Sequence, residues 1–305
     1  MISKQKVCQS LGGTVVPPEI VGELVVADKN GDLKKQLCEH GYLFLQGVHD
    51  PVEVAAARME VLHRLAEVGE IKEPVEDGIA SGTSRRREIY PTAEDLGNFW
   101  RSVSEGLAIR SVINGARITH LMTQLFREPV ANFTFAWLRA MAKGRASPVH
   151  IDHPYMNRGS KRLVTCWTPL CNISLNTGPL YVLEGSHTWS DVRTEFEGHD
   201  VDRNPSRPGH IEESPIILAQ RKDSRFLTSK FGLGDCLVFG MFTVHGSFDN
   251  NSKTGAVRLS CDTRFQPAAD PMDKRFSGPN PLAHNGRGYS CLSASLPMTE
   301  TGRLR

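Results

Sequence analysis

The chain has 305 residues, 39% of them hydrophobic, and a formal charge of +2 at pH 7. That length and apolar content suit a domain with a sizeable core, and the near-neutral balance excludes a whole-chain signature of nucleic-acid or membrane binding. No apolar run reaches the length of a membrane span, and Met1 to Ser10 lacks the apolar stretch of a secretory signal, so a cytoplasmic protein is expected. The seven cysteines (Cys8, Cys38, Cys166, Cys171, Cys236, Cys261 and Cys291) are odd in number and include no Cys-x-x-Cys pair. This spacing speaks against a zinc ribbon and against a disulfide framework. Cys166, Cys236 and Cys261 sit in apolar, strand-like segments and read as buried, reduced thiols.

In chain order, the first 131 residues read as mainly helical. Asp32 to His40 has a helical pattern with Gly41 just past its end, and Tyr42 to Leu45 reads as a buried strand. Asp50, Pro51 and Glu53 together signal a helix start with a capping box, and the helix is expected to reach Val68 and stop at Gly69. A second helical region spans Ala93 to Phe126 with a break near Asn114-Gly115. Between them, Asp77 to Glu88 reads as a solvated loop carrying the basic cluster Arg85-Arg86-Arg87.

From Asn132 the texture changes to short strands punctuated by glycine and proline, the pattern of a sandwich or barrel. The expected strands are Phe133 to Met141, Val149 to Ile151, Leu163 to Trp167, Leu180 to Leu183, Cys236 to Phe239 and Val257 to Phe265. Residues 190–230 are long, polar and charged and read as an insertion between core strands. Residues 266–305 read as an extension that wraps the surface, its last residues disordered. The whole is expected to form a single domain, with 132–265 as its β core.

Three clusters carry the chemistry. In Pro148-Val149-His150-Ile151-Asp152, strand alternation puts His150 and Asp152 on one face. An imidazole and a carboxylate side by side are two ligands for a first-row metal, and a second imidazole completes a facial triad that leaves other positions open. The triplet alone is weak, because chance supplies a His-x-Asp in a chain of this composition. The second cluster is Gly234-Asp235, a tight turn into the strand from Cys236, followed by His245-Gly246-Ser247. His245 by itself reads more readily as a satisfied structural histidine than as a ligand. The third is Arg258-Leu259-Ser260, where alternation sets a guanidinium beside a hydroxyl, a clamp suited to a carboxylate. The competing reading is a surface strand in which Arg258, Asp262 and Arg264 pair with one another.

Taken in order, these segments resemble the phytanoyl-CoA dioxygenase family of Fe(II)/2-oxoglutarate oxygenases. The likeness runs over about residues 30–270, through Gly41-Tyr42, His150-x-Asp152, Thr165-Cys166-Trp167, Asn176-Thr177-Gly178-Pro179-Leu180, Glu184-Gly185-Ser186-His187, Gly234-Asp235, His245-Gly246-Ser247 and Arg258. The resemblance implies a mainly β fold with flanking helices, built on a double-stranded β-helix (a cupin-like jelly roll). It implies that His150, Asp152 and His245 ligate Fe(II). It also implies that Arg258 binds the distal carboxylate of 2-oxoglutarate with Ser260 or Ser247 assisting, and that Trp167 lies beside this cosubstrate. Gly246 to Val257 is slightly longer than the family spacing, and Arg258 stays ahead of Arg264 for the arginine role. His153 and His187 are not expected as ligands.

The implied activity is oxidation by dioxygen of an unactivated C–H in a small molecule, with release of succinate and CO2. Halogenating relatives replace the carboxylate ligand, so the presence of Asp152 favours hydroxylation, desaturation or another oxidation. Two other readings are a cupin-like metalloenzyme that does not use 2-oxoglutarate and a catalytically silent jelly-roll binding module. Arg85, Arg86, Arg87, Lys161 and Arg162 hint at a carboxylated or phosphorylated substrate.

Overall fold

The structure, a computed structural model, describes residues 8–300. The reading of Met1 to Ser10 falls mostly outside them, and the expected disorder of the last residues falls at 301–305, also outside. Two sheets face each other. In the larger, antiparallel strands run in the order Tyr42–Leu45, Cys236–Gly240, Val164–Pro169 and Arg258–Pro267. Beyond Arg258–Pro267 its far edge carries both Val130–Asn132 and Trp137–Met141. The smaller sheet runs His245–Ser247, Leu180–Leu183, Phe226–Thr228 and Val21–Glu23, the last pair parallel.

Alternation explains the larger sheet. Its odd and even residues are both buried, because helices cover one face and the smaller sheet covers the other. Leu43, Leu45, Val164, Cys166, Cys236, Val238 and Phe265 face the helices Leu33–His40 and Ala116–Phe126. Tyr42, Phe44, Trp167, Leu237 and Phe239 face inward, against Leu180, Val182 and Leu227 of the smaller sheet. Each such apolar side chain contributes roughly 1.5–3 kcal/mol of burial. The strand Arg258–Pro267 is fully buried and breaks the apolar rule mainly on one side, Thr263 being the polar exception on the other. Leu259 and Cys261 join the helical core, while Arg258, Ser260, Asp262 and Arg264 occupy the alternate face, toward the gap between the sheets.

The helical half follows its sequence signals with two differences. Asp32 caps Leu33–His40, and Gly41 closes it at φ 78°, where a Cβ would lie 2.2 Å from His187 Nδ1. Asp50 caps Pro51–Glu67 by accepting from the Val52 amide, without the reciprocal Glu53 bond of a capping box. The region from Ala93 breaks at Asn114-Gly115 as expected, and also at Glu105-Gly106. The second break has a tertiary cause. The Glu60 carboxylate, from another helix, accepts from the Ala108 and Ile109 amides at 3.3 and 3.0 Å and so satisfies a new helix start.

Three expectations need correction. The strand expected from Phe133 to Met141 begins only at Trp137, with Phe133 and Phe135 turned into the aromatic core against Phe276, and a separate short strand, Val130–Asn132, precedes it. Residues 190–230 contain the helices Ser190–Phe196 and Pro215–Arg221 and end in Phe226–Thr228, a strand of the smaller sheet, so the stretch does not lie wholly between core strands. The basic cluster is not uniformly solvated. Arg86 is fully buried, paired with Glu70, and donates to the carbonyls of Ala294, Ser295 and Leu296. The C-terminal extension places Phe276, Ala283 and Tyr289 in the helical core. Cys166, Cys236 and Cys261 are buried and form no disulfide.

Candidate active site

His150 and His245 are brought together by the backbone. Each donates its amide to the other's carbonyl, at 2.9 and 3.0 Å, and the ring centroids are 4.2 Å apart. Asp152 arrives by a route other than the one alternation suggests. Val149 to Ile151 is not a continuous strand; His150 alone pairs, with His245 on one side and His210 on the other. The chain then leaves the extended region, and Asp152 (φ −77°, ψ −20°) opens a short 3₁₀ turn, His153–Tyr155. The turn, not the pleat, swings the carboxylate beside the imidazoles. It also carries His153 away, to stack on Phe242 at 4.4 Å between centroids. His187 is equally remote, bonded through Nε2 to the Cys38 carbonyl at 3.1 Å.

The donor atoms converge. Asp152 Oδ1 lies 3.7 Å from His150 Nε2 and 4.0 Å from His245 Nε2, and the three groups offer ligand atoms within 4.8 Å of one another. Both imidazoles are fixed in the tautomer a metal needs. His150 Nδ1 bonds the Pro148 carbonyl at 2.8 Å and His245 Nδ1 the Thr243 carbonyl at 2.9 Å. A carbonyl only accepts, so each Nδ1 carries the proton and each Nε2 keeps a lone pair facing the cluster. Burial pushes both histidines down, His150 to about 3 with help from its neighbour His245, so both are neutral at pH 7. Burial alone would raise the Asp152 carboxyl, but Arg264 and the two histidines, with the Thr165 hydroxyl, hold it well below the usual carboxylate range.

The carboxylate is asymmetric. Its Oδ2 accepts from the Thr165 hydroxyl and from Arg264 Nη2, the latter at 3.1 Å, which leaves Oδ1 toward the histidines. Sequence reasoning did not assign these two supporting residues. Alternation does put Arg264 on the face of Arg258, three alternations further on, and Thr165 on the face of Trp167, but it does not give the register that brings both to Asp152.

Beside the cluster lies a cavity lined by Trp167, Ser247, Arg258, Arg139 and Asp262 as well as the two histidines. Arg258 is 2% exposed. Its Nη1 donates to Ser260 Oγ at 2.9 Å, its Nη2 approaches Ser247 Oγ at 3.4 Å, and its Nε has no partner. No carboxylate of the described residues pairs with it. Burial, with the nearby Arg139, lowers its pKa to about 10, which leaves it charged at neutral pH. A buried cation without a counter-ion is costly, so the cavity has the electrostatics of an anion site. The competing reading of this strand as a mutually paired surface holds only in part: the strand is buried and Arg258 stands outside the pairing, though Asp262 and Arg264 are loosely paired. Asp262 pairs chiefly with Arg139 at 3.0 Å and more loosely with Arg264 Nη1 at 3.9 Å.

The other basic residues do not serve this cavity. Arg86 is spent on Glu70 and the C-terminal carbonyls, Arg87 pairs with Glu300, and Arg162 pairs with Glu128 and Asp270. The hint of an acidic substrate drawn from them therefore has no structural support.

The family description phytanoyl-CoA dioxygenase matches residues 37–258. A 1-deoxypentalenic acid 11-beta-hydroxylase from Streptomyces arenae is 27% identical over 242 residues, covering 76% of this chain and 79% of that one. EctD from S. alaskensis superposes with a TM-score of 0.55 at 18% identity, over 90% of this chain and 89% of that one. SnoK, a non-heme alpha ketoglutarate dependent carbocyclase from nogalamycin biosynthesis, superposes with a TM-score of 0.52 at 18% identity, over 82% and 89%. The shared architecture is the double-stranded β-helix with flanking helices.

Proposed function

The chain belongs to the phytanoyl-CoA dioxygenase family, and from that premise we propose that it is an Fe(II)/2-oxoglutarate-dependent dioxygenase that hydroxylates an unactivated C–H of a small molecule, releasing succinate and CO2. The observation that carries this reading is three converging metal donors, two of them (His150 and His245) lining a cavity that also holds a buried guanidinium without a paired carboxylate. His150 and His245 would hold the iron through Nε2, and Asp152 through Oδ1. Arg258 takes the distal carboxylate of 2-oxoglutarate, Ser260 and Ser247 orient that guanidinium, and Trp167 walls the cosubstrate. When bound, the iron supplies the activation of dioxygen and couples it to decarboxylation of the cosubstrate. The chain's own work is to keep the imidazoles neutral, to fix their tautomers through the Pro148 and Thr243 carbonyls, and to surround the reacting groups with a buried wall.

The curated relative is named as a hydroxylase, which supports hydroxylation, and the carboxylate at position 152 does not suit halogenation. No helix among the described residues is long and apolar enough to cross a membrane. A cupin-like enzyme without 2-oxoglutarate would leave Arg258 unexplained, and a silent module would leave the three aligned donors unexplained.

The test is anaerobic addition of Fe(II) and 2-oxoglutarate to the metal-free protein. A weak visible charge-transfer band is expected, strongly reduced in Asp152→Ala and in Arg258→Ala. Iron binding without a band would favour the cupin-like enzyme, and absence of iron binding would favour the silent module.

A further inference from the structure

The carboxylate ligand is held more tightly than a metal site requires. Oδ2 of Asp152 has two lone pairs, and both are taken: one by the Thr165 hydroxyl, the other by Arg264 Nη2 at 3.1 Å. These donors belong to neighbouring strands of the larger sheet, Val164–Pro169 and Arg258–Pro267, in which Thr165 and Arg264 are directly opposite. The pair therefore forms a rigid cradle that meets one oxygen of a carboxylate approaching from a turn.

Arg264 is expensive to keep there. It is 2% exposed, and its Nε and Nη1 have no hydrogen-bond partner. Its other compensations are the Trp137 ring, with Cζ 4.1 Å from the centroid, and Asp262 at 3.9 Å. A buried, half-satisfied guanidinium is a poor device for stability, since apolar residues of similar volume do as well or better. Its geometry serves the carboxylate instead.

We propose that Arg264 and Thr165 are positioning residues that lock Asp152 as a one-oxygen ligand. The inference rests on the reading of His150, Asp152 and His245 as the iron site. Its consequence is specific. A carboxylate free to turn could offer both oxygens to the metal and fill a position that 2-oxoglutarate needs for its two-point attachment. The lock thus protects cosubstrate binding rather than iron binding.

The experiment uses the full chain, anaerobically, in wild type, Thr165→Val (nearly isosteric), Arg264→Lys, Arg264→Met and the double variant Thr165→Val/Arg264→Met. Two titrations are read: Fe(II) affinity by competition with a chromophoric chelator, and 2-oxoglutarate affinity by the visible band of the iron-loaded protein. Circular dichroism and thermal melts show which variants are folded. The expected result is a 2-oxoglutarate affinity weakened about 10-fold in Thr165→Val and up to about 100-fold in the double variant. Iron affinity should change by less than about threefold, and Arg264→Lys should recover part of the loss relative to Arg264→Met. Equal losses of iron and cosubstrate affinity would overturn the lock and leave a general supporting role, and unchanged affinities in folded Thr165→Val would overturn it outright. Absence of iron or of the band in wild type would instead bring down the site on which the proposal stands.

Discussion

His49 shows how a single buried side chain ties stability to pH without touching the site. It is 3% exposed, its Nε2 lies 3.3 Å from the Thr168 hydroxyl, and burial, aided by the charge on Arg117, lowers its pKa to about 4. The unfolded chain binds a proton at this imidazole near pH 6.5, whereas the folded chain resists until about pH 4. Between those values the unfolded state holds more protons, so stability is intact above pH 6.5 and falls as pH drops through the window. This one group accounts for about 2 kcal/mol between pH 7 and pH 5. Urea unfolding of metal-free wild type and His49→Gln at the two pH values should show a loss larger in wild type by that amount; parallel losses would assign the pH response to other groups. Nothing around His49 in the sequence marks it as buried, since Gly47 and Asp50 suggest a turn. The site residues were more legible. Alternation set Arg258 and Ser260 on one face, and the family resemblance assigned them their role, whereas the Thr165 and Arg264 contacts with Asp152 depend on strand register, which a single sequence does not specify.

At the scale of elements, the local signals that proved reliable are those whose physics is local. Asp32, Asp50, Gly41 and the Asn114-Gly115 break act within a turn of their own helix. The signals that misled are those overridden from a distance. The Glu60 carboxylate makes a helix start at Leu107. The turn at Asp152 depends on contacts with strands 13 and 112 residues away in the chain. Arg86 is the clearest case, because its partners lie 16 residues before it and 208 to 210 residues after it. Glu70 completes the arrangement by accepting from the Met298 amide at 3.0 Å and from the Ser84 hydroxyl at 2.7 Å. This buried pair fastens residues 294–298 of the C-terminal extension to the helical half. Removing one member strands the other, so Arg86→Met should cost about 3–5 kcal/mol. Glu70→Leu/Arg86→Met should recover part of that loss, because no unpaired charge remains. Denaturant unfolding measures both, and limited proteolysis should find the extension cut sooner in Arg86→Met. Equal stability of the single variant and wild type would mean that the pair does not secure the extension.

For the molecule as a whole, the question is what the two sheets have to do with one another beyond burying Phe44, Trp167 and Phe239. His245 opens a strand of the smaller sheet, and His150 is joined to it by backbone pairing. Asp152 is tied through Thr165 and Arg264 to the larger sheet, which also supplies Arg258. A metal held by all three donors, with a dianion on Arg258, would therefore bridge the sheets at a point where the protein alone gathers three arginines, two aspartates and two neutral histidines. In the metal-free protein the Arg258 charge is unmatched, so the unloaded gap is a weak point of the sandwich and loading should strengthen it. Binding to the folded state alone adds RT ln(1 + [L]/Kd), about 2.7 kcal/mol at a ligand concentration 100 times Kd. Iron and 2-oxoglutarate together, added anaerobically, should raise the melting temperature by several degrees, and a chelator should reverse the rise. Iron alone should give a smaller rise that survives in Arg258→Ala, because that variant loses only the anion's share. Asp152→Ala should respond to neither, since the link between the sheets runs through that carboxylate. A rise in Asp152→Ala as large as in wild type would mean that the metal is held by one sheet alone, and that the gap between the sheets is closed by packing and not by the ligands.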